Sequence, residues 1–572
     1  MSDEDVNGPP RNGPASQGEA SQGNEQGSAE PDPGGDAGPA DGVGPSDGTN
    51  LADGAGPPSD RSAPIGRAEL QRRAVSGSVW TSVHTVFSTP VNFAANLVVA
   101  RLLGPAGYGV VAVYTLAYVL GLKASEAGYN GATGNWGTAA EASGDRDGAT
   151  RLIRQGVGWQ LLVEVPVLGA IVLAISWGHS PVIIASLLVA VVVGAALSGI
   201  GHAILVENRT AAAARLTMIS NLALQGVVVL VALRTRDPLA VFAARTLFTA
   251  LMAVLLLLPL DRSRRWLVLK PLLPRHMPDG FWKFAGITTV TALVAALAVS
   301  RTEVFVLDIF HDGAMVGYFA LAYGLASQLT NPIDAVILPL GIGILGLVTT
   351  SPHRAGAVLL RATRYTAAGS GVLTAIALPV VTVLVPVLYG RAYDPVMPIV
   401  IPLGIASCLV SLHNPLMSFV SARRRADVVL RAMLVALVVD GALSFALIPV
   451  IGVWGAVVAN ILGGLANLPL LLSFELTIQH TPLASFLGST VDWLVSLPAA
   501  GVAVGSALLV GHGPWVEAAV GGAVGVAAFV AAIRLVGGGF ADDDLAGFLA
   551  SVPAALRRPI RLGFALLGTG RP

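Results

Sequence analysis

From Val75 onward the chain is a succession of apolar runs about 20 residues long, separated by short polar breaks. A helix needs that length to cross the hydrocarbon of a bilayer. Fourteen runs can be counted: 75–100, 107–127, 155–176, 181–206, 215–233, 239–260, 284–308, 315–348, 366–389, 395–421, 428–449, 453–476, 489–511 and 515–536. Lipid offers no partner to an open backbone N–H or C=O, so a spanning segment with free edges must be helical. The expected fold class is an all-α polytopic membrane protein with about 14 transmembrane helices. The eighth run is too long for one straight span, and Pro332 and Pro339 predict a kink or a split in it.

Composition narrows the function. Charged residues make up 12% of the 572 residues, about half the usual share of a soluble domain. A soluble enzyme and a nucleic-acid binder are both excluded, so no nucleic acid is expected among the partners. The sole cysteine, Cys408, excludes a disulfide scaffold. A net charge of zero conceals two opposed parts. Residues 1–60 hold twelve acids against one base, Arg11, and the rest of the chain is correspondingly basic. Rich in Gly, Pro, Ser and Gln and poor in large apolar residues, residues 1–66 read as a disordered acidic tail. They lack the basic start and apolar stretch of a signal peptide.

Loop charge sets the expected orientation. With the N-terminus cytoplasmic, the inner loops carry Arg146, Arg151 and Arg154; Arg209 and Arg215; Arg262, Arg264, Arg265, Lys270, Arg275 and Lys283; Arg354, Arg361 and Arg364; and Arg423, Arg424, Arg425 and Arg431. The outer loops carry only Arg101, Arg234, Arg236 and Arg391. An even number of spans then returns the C-terminus to the cytoplasm. There residues 541–572 form a tail whose acids (Asp542–Asp544), apolar residues (Leu545, Phe548, Leu549) and bases (Arg557, Arg558, Arg561) suit a helix lying on the inner surface.

Internal repetition divides the chain further. Gly107-Tyr108 matches Gly317-Tyr318, each followed by an Ala-Tyr pair (Ala117-Tyr118 and Ala322-Tyr323). The stretch Leu205–Arg209 aligns with Phe419–Arg423, and Ala240–Ala243 with Ala456–Ala459. Offsets of 210, 214 and 216 for the Gly-Tyr pair and the two later stretches, in chain order, predict a six-helix bundle over 67–260, a basic cytoplasmic linker over 261–283, a second six-helix bundle over 284–476, and two additional spans over 477–540. An even number of spans per repeat puts both bundles the same way up, related by a pseudo-two-fold along the membrane normal, with substrate bound between them.

Three motifs resemble a known family. Arg101-Leu-Leu-Gly-Pro-Ala-Gly-Tyr-Gly109 is similar to the turn between the first two helices of polysaccharide flippases, Val387-Leu-Tyr-Gly-Arg-Ala-Tyr393 to their turn after helix nine, and Pro449-Val-Ile-Gly-Val-Trp-Gly-Ala456 to their entry into helix twelve. These flippases belong to the multidrug/oligosaccharidyl-lipid/polysaccharide exporter superfamily, and the resemblance covers roughly residues 67–480. It implies two six-helix bundles around a cavity that opens alternately to either side. The implied activity is moving a polyprenyl-diphosphate-linked oligosaccharide from the inner to the outer leaflet of the plasma membrane. Implied partners are that glycolipid, membrane lipids and other polysaccharide-assembly proteins; no cofactor is expected.

Polar residues inside the spans are the candidate site. His84, Ser88, Asn92 and Asn96 recur every four residues in the first span, and Ser407, Ser411, Asn414, Ser418 and Ser421 at spacings of four and three in the tenth. Such stripes line a hydrated interior or act as hydrogen-bonding contacts between helices. Ionisable residues at membrane depth are functional candidates by default. Arg301 and Arg245, in the outer thirds of spans seven and six, are candidate diphosphate ligands, because a guanidinium offers a planar fork of donors. Their alternatives are a structural ion pair for Arg301 and snorkelling for Arg245 and Lys123. Arg301 shares a helix face with Asp308, and Glu303 falls nearly opposite. His84 is either a second diphosphate contact or a satisfied interior histidine. The candidate substrate set is thus Arg301, Arg245, His84, Asn92, Asn414 and Ser411. Glu164, Asp334 and Asp440 are the candidate ion or proton sites, with ion pairing or, for Asp334 after Pro332, helix capping as the alternative.

No catalytic constellation is visible. The chain has no Gly-x-x-x-x-Gly-Lys-Ser/Thr loop and no His or Cys pair with metal-ligand spacing. A membrane glycan polymerase or glycosyltransferase would need a sizeable polar loop, and the longest outer loop, near 389–395, is too short. The nearer rival is an ion-coupled multidrug/cation antiporter of the same superfamily.

Overall fold

The computed structural model describes residues 67–536, except 127, 208, 276, 300–301, 351–354 and 424. The acidic tail, the C-terminal segment and Arg301 therefore lie outside the described residues. All regular structure among the described residues is helical. The first half of the chain forms α1 (Arg67–Glu126), α2 (Tyr129–Ala142), α3 (Arg146–Trp159), α4 (Val165–Ile175), α5 (Pro181–Val206), α6 (Thr210–Thr235), α7 (Pro238–Met252) and the short α8 (Arg262–Arg265). There follow α9 (Phe281–Val299), α10 (Thr302–Phe310), α11 (Gly313–Thr350), α12 (Ala355–Tyr389), α13 (Met397–Val410), α14 (His413–Ala422), α15 (Ala426–Ile451), α16 (Val453–Ala466), α17 (Leu468–Gln479), α18 (Leu483–Ser489), α19 (Val491–Val510) and α20 (Pro514–Val536).

Among the described residues, eleven stretches are long and apolar enough to cross a membrane. One of them, Val83–Glu126, contains two segments, because Gly104 (φ 68°, ψ 176°) interrupts the helix within the Arg101–Gly109 motif. A Cβ would be strained at that φ, and Pro105 removes the next N–H, so the motif is a chain reversal written in two residues. Large apolar side chains point outward all along these helices, among them Val182, Leu230, Val438, Phe445 and Leu509. That is the surface lipid requires.

Local chemistry accounts for the helix ends. Asp145 starts α3 by accepting the Gly148 N–H at 2.8 Å, and Asp237 starts α7 by accepting from Leu239 at 2.9 Å, with Pro238 at the first helical position. Span three is not a plain helix: a π-helical turn, Gln160–Glu164, separates α3 from α4. The tenth apolar run is likewise split, because α13 ends at Val410 and α14 begins at His413. There Ser411 turns its hydroxyl onto the Cys408 carbonyl at 2.7 Å, and side-chain bonds of this kind bend a helix.

Two close approaches stand out where the halves of the chain meet among the described residues. The Gly104 turn meets the start of α11 backbone to backbone: a Cβ on Gly317 would lie 1.9 Å from the Pro105 carbonyl oxygen, and one on Gly109 2.2 Å from that of Gly313. The residues flanking the first Gly-Tyr pair, Pro105 and Gly109, thus pack against the start of the second, Gly317. Beside them the Tyr393 hydroxyl donates to the Ala100 carbonyl at 2.9 Å, fully buried. About 30 Å down the second segment of α1, Gly128 lies so close to α9 that a Cβ would stand 2.1 Å from the Ala285 carbonyl oxygen. The adjoining Tyr129 is enclosed by Trp159, Phe281 and Trp282 at ring separations of 5.8, 5.0 and 6.0 Å.

Candidate substrate cavity and buried polar clusters

A cavity of about 490 Å³ opens between residues from both halves of the chain. Phe93 and Asn96 come from the first segment of α1, and Tyr108, Thr115 and Val119 from the second. Phe242 and Arg245 come from α7, Val304 from α10, Tyr323 and Gln328 from α11, and Tyr389 from α12. Aromatic rings, amides and hydroxyls line it, and among the described residues Arg245 is the one cation that lines it. Stacking faces, adaptable hydrogen bonders and one fixed positive charge suit a polar ligand bearing an anionic group.

Of the residues picked from sequence, Arg245 lines this cavity. Asn96 lines it too, one turn beyond Asn92. Asn92 itself accepts hydrogen bonds from Asn221 and Gln225 of α6, both at 2.9 Å, so its carbonyl serves a contact between helices. Ser411 is buried and shares a 2.8 Å hydrogen bond with Ser370 of α12. Asn414 is half-buried at the start of α14. His84 is half-buried, and its Nε2 has no hydrogen-bond partner. Arg301 lies outside the described residues, as does the side chain of Asp334, although α11 carries its backbone.

The candidate carboxylates occupy two separate places. Glu164 is buried in the π-helical turn, with Oε2 unpartnered. Asp440 is buried on α15, where Oδ2 accepts from the Thr302 hydroxyl at 2.7 Å. Next to it stands Glu303, fully buried on α10, which accepts from the Asn460 amide of α16 at 2.7 Å and interacts electrostatically with Asp440. Gly463 makes room for the pair, since a Cβ there would meet Asp440 Cβ at 2.6 Å. Two carboxylates in contact in low dielectric need a shared proton or a cation. The sequence reading passed over Glu303 as lying opposite Arg301. The signal was present, because Glu303 and Asn460 are polar residues in apolar runs; that they face each other is a tertiary fact.

The end of the first half beyond Glu126 is held by charge. Arg264, nearly buried, bonds Glu141 at 2.7 Å and lies 3.6 Å from Glu207. Arg209 pairs with Glu207 at 3.1 Å and with Asp261. Burial and the neighbouring Asp261 push the Glu207 carboxyl up, and Arg209 and Arg264 pull it back. The segment after α7 is bolted to α3, because Leu272 N–H donates to the Arg154 carbonyl at 2.9 Å and Gln155 donates to the Arg275 carbonyl at 2.6 Å. In the second half Arg423 grips the fully buried Glu475 through two nitrogens at 3.0–3.1 Å. The aligned arginines, Arg209 and Arg423, thus play matching parts.

Helix content and hydropathy define a multi-pass membrane protein. Residues 98–398, more than half of the chain, match the model of a family described as polysaccharide biosynthesis protein. The chain belongs to that family. No curated protein sequence matches it. Among solved structures, it is similar to the lipid II flippase MurJ in an inward closed conformation (TM-score 0.58, 13% identity, covering 79% of this chain and 98% of that one). It is also similar to an inward-facing multidrug resistance MATE family transporter of the MOP superfamily (TM-score 0.52, 14% identity, 71% and 98%). At these identities the likeness concerns the fold.

Proposed function

We propose that the protein moves a polyprenyl-diphosphate-linked oligosaccharide from the inner to the outer leaflet of the plasma membrane by alternating access, without catalysing a covalent step. The observation that carries this reading is the cavity between the halves of the chain. Its rings, amides and hydroxyls can shield a glycan, while Arg245 meets the diphosphate and the polyprenyl tail stays in lipid. Membership of a polysaccharide biosynthesis family supports the substrate class. Two six-helix bundles of like orientation, over 67–260 and 284–476, rock against each other, with α19 and α20 outside them. Both termini are cytoplasmic, a reading that the basic loops support. Arg301 is the second diphosphate ligand. His84 and Asn414 extend the polar path, while Asn92 and Ser411 position its walls. The Glu303–Asp440 pair is the coupling site, loading a proton or cation in one state and releasing it in the other; Asp334 is a further coupling candidate. Other polysaccharide-assembly proteins supply and consume the glycolipid.

The test is surface polysaccharide in a deletion host complemented with variants. Arg245→Ala and Arg301→Ala should abolish export while membrane levels stay normal. Arg301→Lys should keep part of it, since charge survives without the bidentate fork. Full export by both alanine variants overturns the assignment. Resistance to cationic drugs on overexpression, with export unaffected, would favour the antiporter reading instead.

A further inference from the structure

The segment that joins the two halves of the chain carries a surface that the transport reading does not use. From Arg262 to Arg275 it holds five bases, six large apolar residues and no acid. Pro271 and Pro274 withhold two backbone donors and keep its second part from coiling into a helix. The inward side of this strip is pinned to the first half. Arg264 is buried in its ion pairs with Glu141 and Glu207. Val268 is fully buried among Ile153 of α3, Ile200 and Ala203 of α5, and Leu260. Arg154 Nε donates to the Lys270 carbonyl at 2.9 Å, and Arg265 donates to the Leu258 and Leu260 carbonyls at 2.6 and 2.9 Å. The Leu272 and Val268 carbonyls lie where a Cβ on Gly158 of α3 or Gly199 of α5 would overlap them.

The outward side is left open. Arg262, Lys270 and Arg275 are exposed and take part in no ion pair among the described residues. Trp266 is exposed by 72% and Leu273 by 52%. In chain order the outward groups therefore run base, ring, base, leucine, base. Their depth follows from their neighbours. The apolar stretches Pro181–Val206 and Pro238–Leu257 both stop beside the strip, and Val268 packs about two turns inside the end of the first. The strip thus lies where hydrocarbon gives way to water.

A soluble anion would satisfy the three bases and leave the ring and the leucine in water. A lipid surface satisfies both: tryptophan settles among headgroups, and each Lys or Arg beside an anionic leaflet gains about fivefold in affinity. We propose that the strip from Arg262 to Arg275 binds anionic phospholipid headgroups of the leaflet it faces. Arg262, Lys270 and Arg275 meet the phosphates, and Trp266 and Leu273 enter the apolar edge beneath them. Because its inward side is fastened to α3 and α5, the outward groups are ordered before any lipid arrives, which lowers the cost of binding. The site depends neither on the glycolipid being the substrate nor on which side of the membrane is cytoplasmic.

Lipid retention by the purified full-length protein tests this, counted by native mass spectrometry during titration with phosphatidylglycerol or phosphatidylcholine. The parent should hold phosphatidylglycerol about tenfold or more tightly than phosphatidylcholine. Arg262→Ala, Lys270→Ala and Arg275→Ala combined should remove most of that preference. Arg234→Ala, Arg236→Ala and Arg391→Ala combined, which take the same charge from the far end of α6 and the turn after α12, should leave it in place. Trp266→Ala should weaken both lipids about two- to threefold, because a ring contributes area and no charge. An equal loss in the two triple variants would reduce the preference to total charge and overturn the proposal. So would displacement of phosphatidylglycerol by glycerol phosphate at equal concentration, which would make the ligand a soluble anion. Should the first triple variant fail to fold, Lys270→Glu alone decides: a reduced preference supports the site, and an unchanged one overturns it.

Discussion

The two close approaches between the halves of the chain are built by different physics. At the Gly104 turn the contact is backbone on backbone. Gly109 and Gly317 sit where any Cβ would overlap a main-chain atom of the opposite half, and one buried hydrogen bond, Tyr393 to Ala100, accompanies them. At the other end the contact is a cluster of rings around Tyr129, backed by the Arg264–Glu141–Glu207 ion network of the first half. Backbone-on-backbone packing is all or nothing, because interiors are close-packed and a main chain cannot give way as a flexible side chain can, although the side-chain cluster of Phe93, Tyr389 and Tyr393 lies beside it. A ring cluster degrades in steps, since each ring adds its own area. A transporter that must part both contacts in turn would therefore have one sharp closure and one adjustable closure.

That contrast can be broken by substitution, and the largest effect is expected at the sharp end. Gly317→Val places a branched side chain against the Pro105 carbonyl. It should abolish export and prevent disulfide crosslinking of cysteine pairs placed across the Gly104 turn and α11 in a Cys408→Ser background. Normal crosslinking in this variant would show that the turn can adapt. At the graded end, Tyr129→Ala removes a fully buried ring and should lower stability by about 3 kcal/mol, read as thermal midpoint in detergent, with export reduced but present. A Tyr129→Ala midpoint equal to the parent's would show that the cluster does not hold that end.

Smaller shifts sharpen the same picture. Arg264→Ala leaves Glu141 and Glu207 without their shared cation and should cost about 2 kcal/mol. Arg264→Lys should recover part of that, since the point charge remains while the fork is lost. Tyr129→Phe removes only a weak hydroxyl–sulfur contact with Met277 and should change stability by about 0.5 kcal/mol or less. Arg425→Ala, which breaks an exposed pair with Asp427, should leave the midpoint unmoved. A larger loss from Arg425→Ala than from Arg264→Ala would reverse the ranking of these charges and undo the account of that end.

The candidate site was only partly legible in advance. Arg245 stands out in the sequence as an arginine in an apolar run, and it lines the cavity. Asn92 and Ser411 were found by their spacing, yet spacing alone cannot separate a face toward a cavity from a face toward another helix. Their hydrogen bonds run to Asn221, Gln225 and Ser370. Glu303 was passed over because a helical wheel relates it only to its own helix, whereas its partners Asp440 and Asn460 lie 137 and 157 residues further along. The π-helical turn at Gln160–Glu164 left no mark in the sequence pattern, since one residue of slippage does not disturb an apolar run.

Hydropathy and loop charge belong to the sequence by itself. Apolar runs of membrane thickness demand helices, because lipid offers no other partner to the backbone, and the Arg101–Gly109 motif favours a break, because glycine followed by proline is costly inside a helix. Which polar side chains meet was decided by tertiary structure. Helices packed side by side can rotate about their axes and slide by a turn at little cost to hydropathy. Only the fit of small residues such as Gly317, Gly128 and Gly463 against opposing atoms fixes the register that brings Glu303 to Asp440 and Arg245 to the cavity.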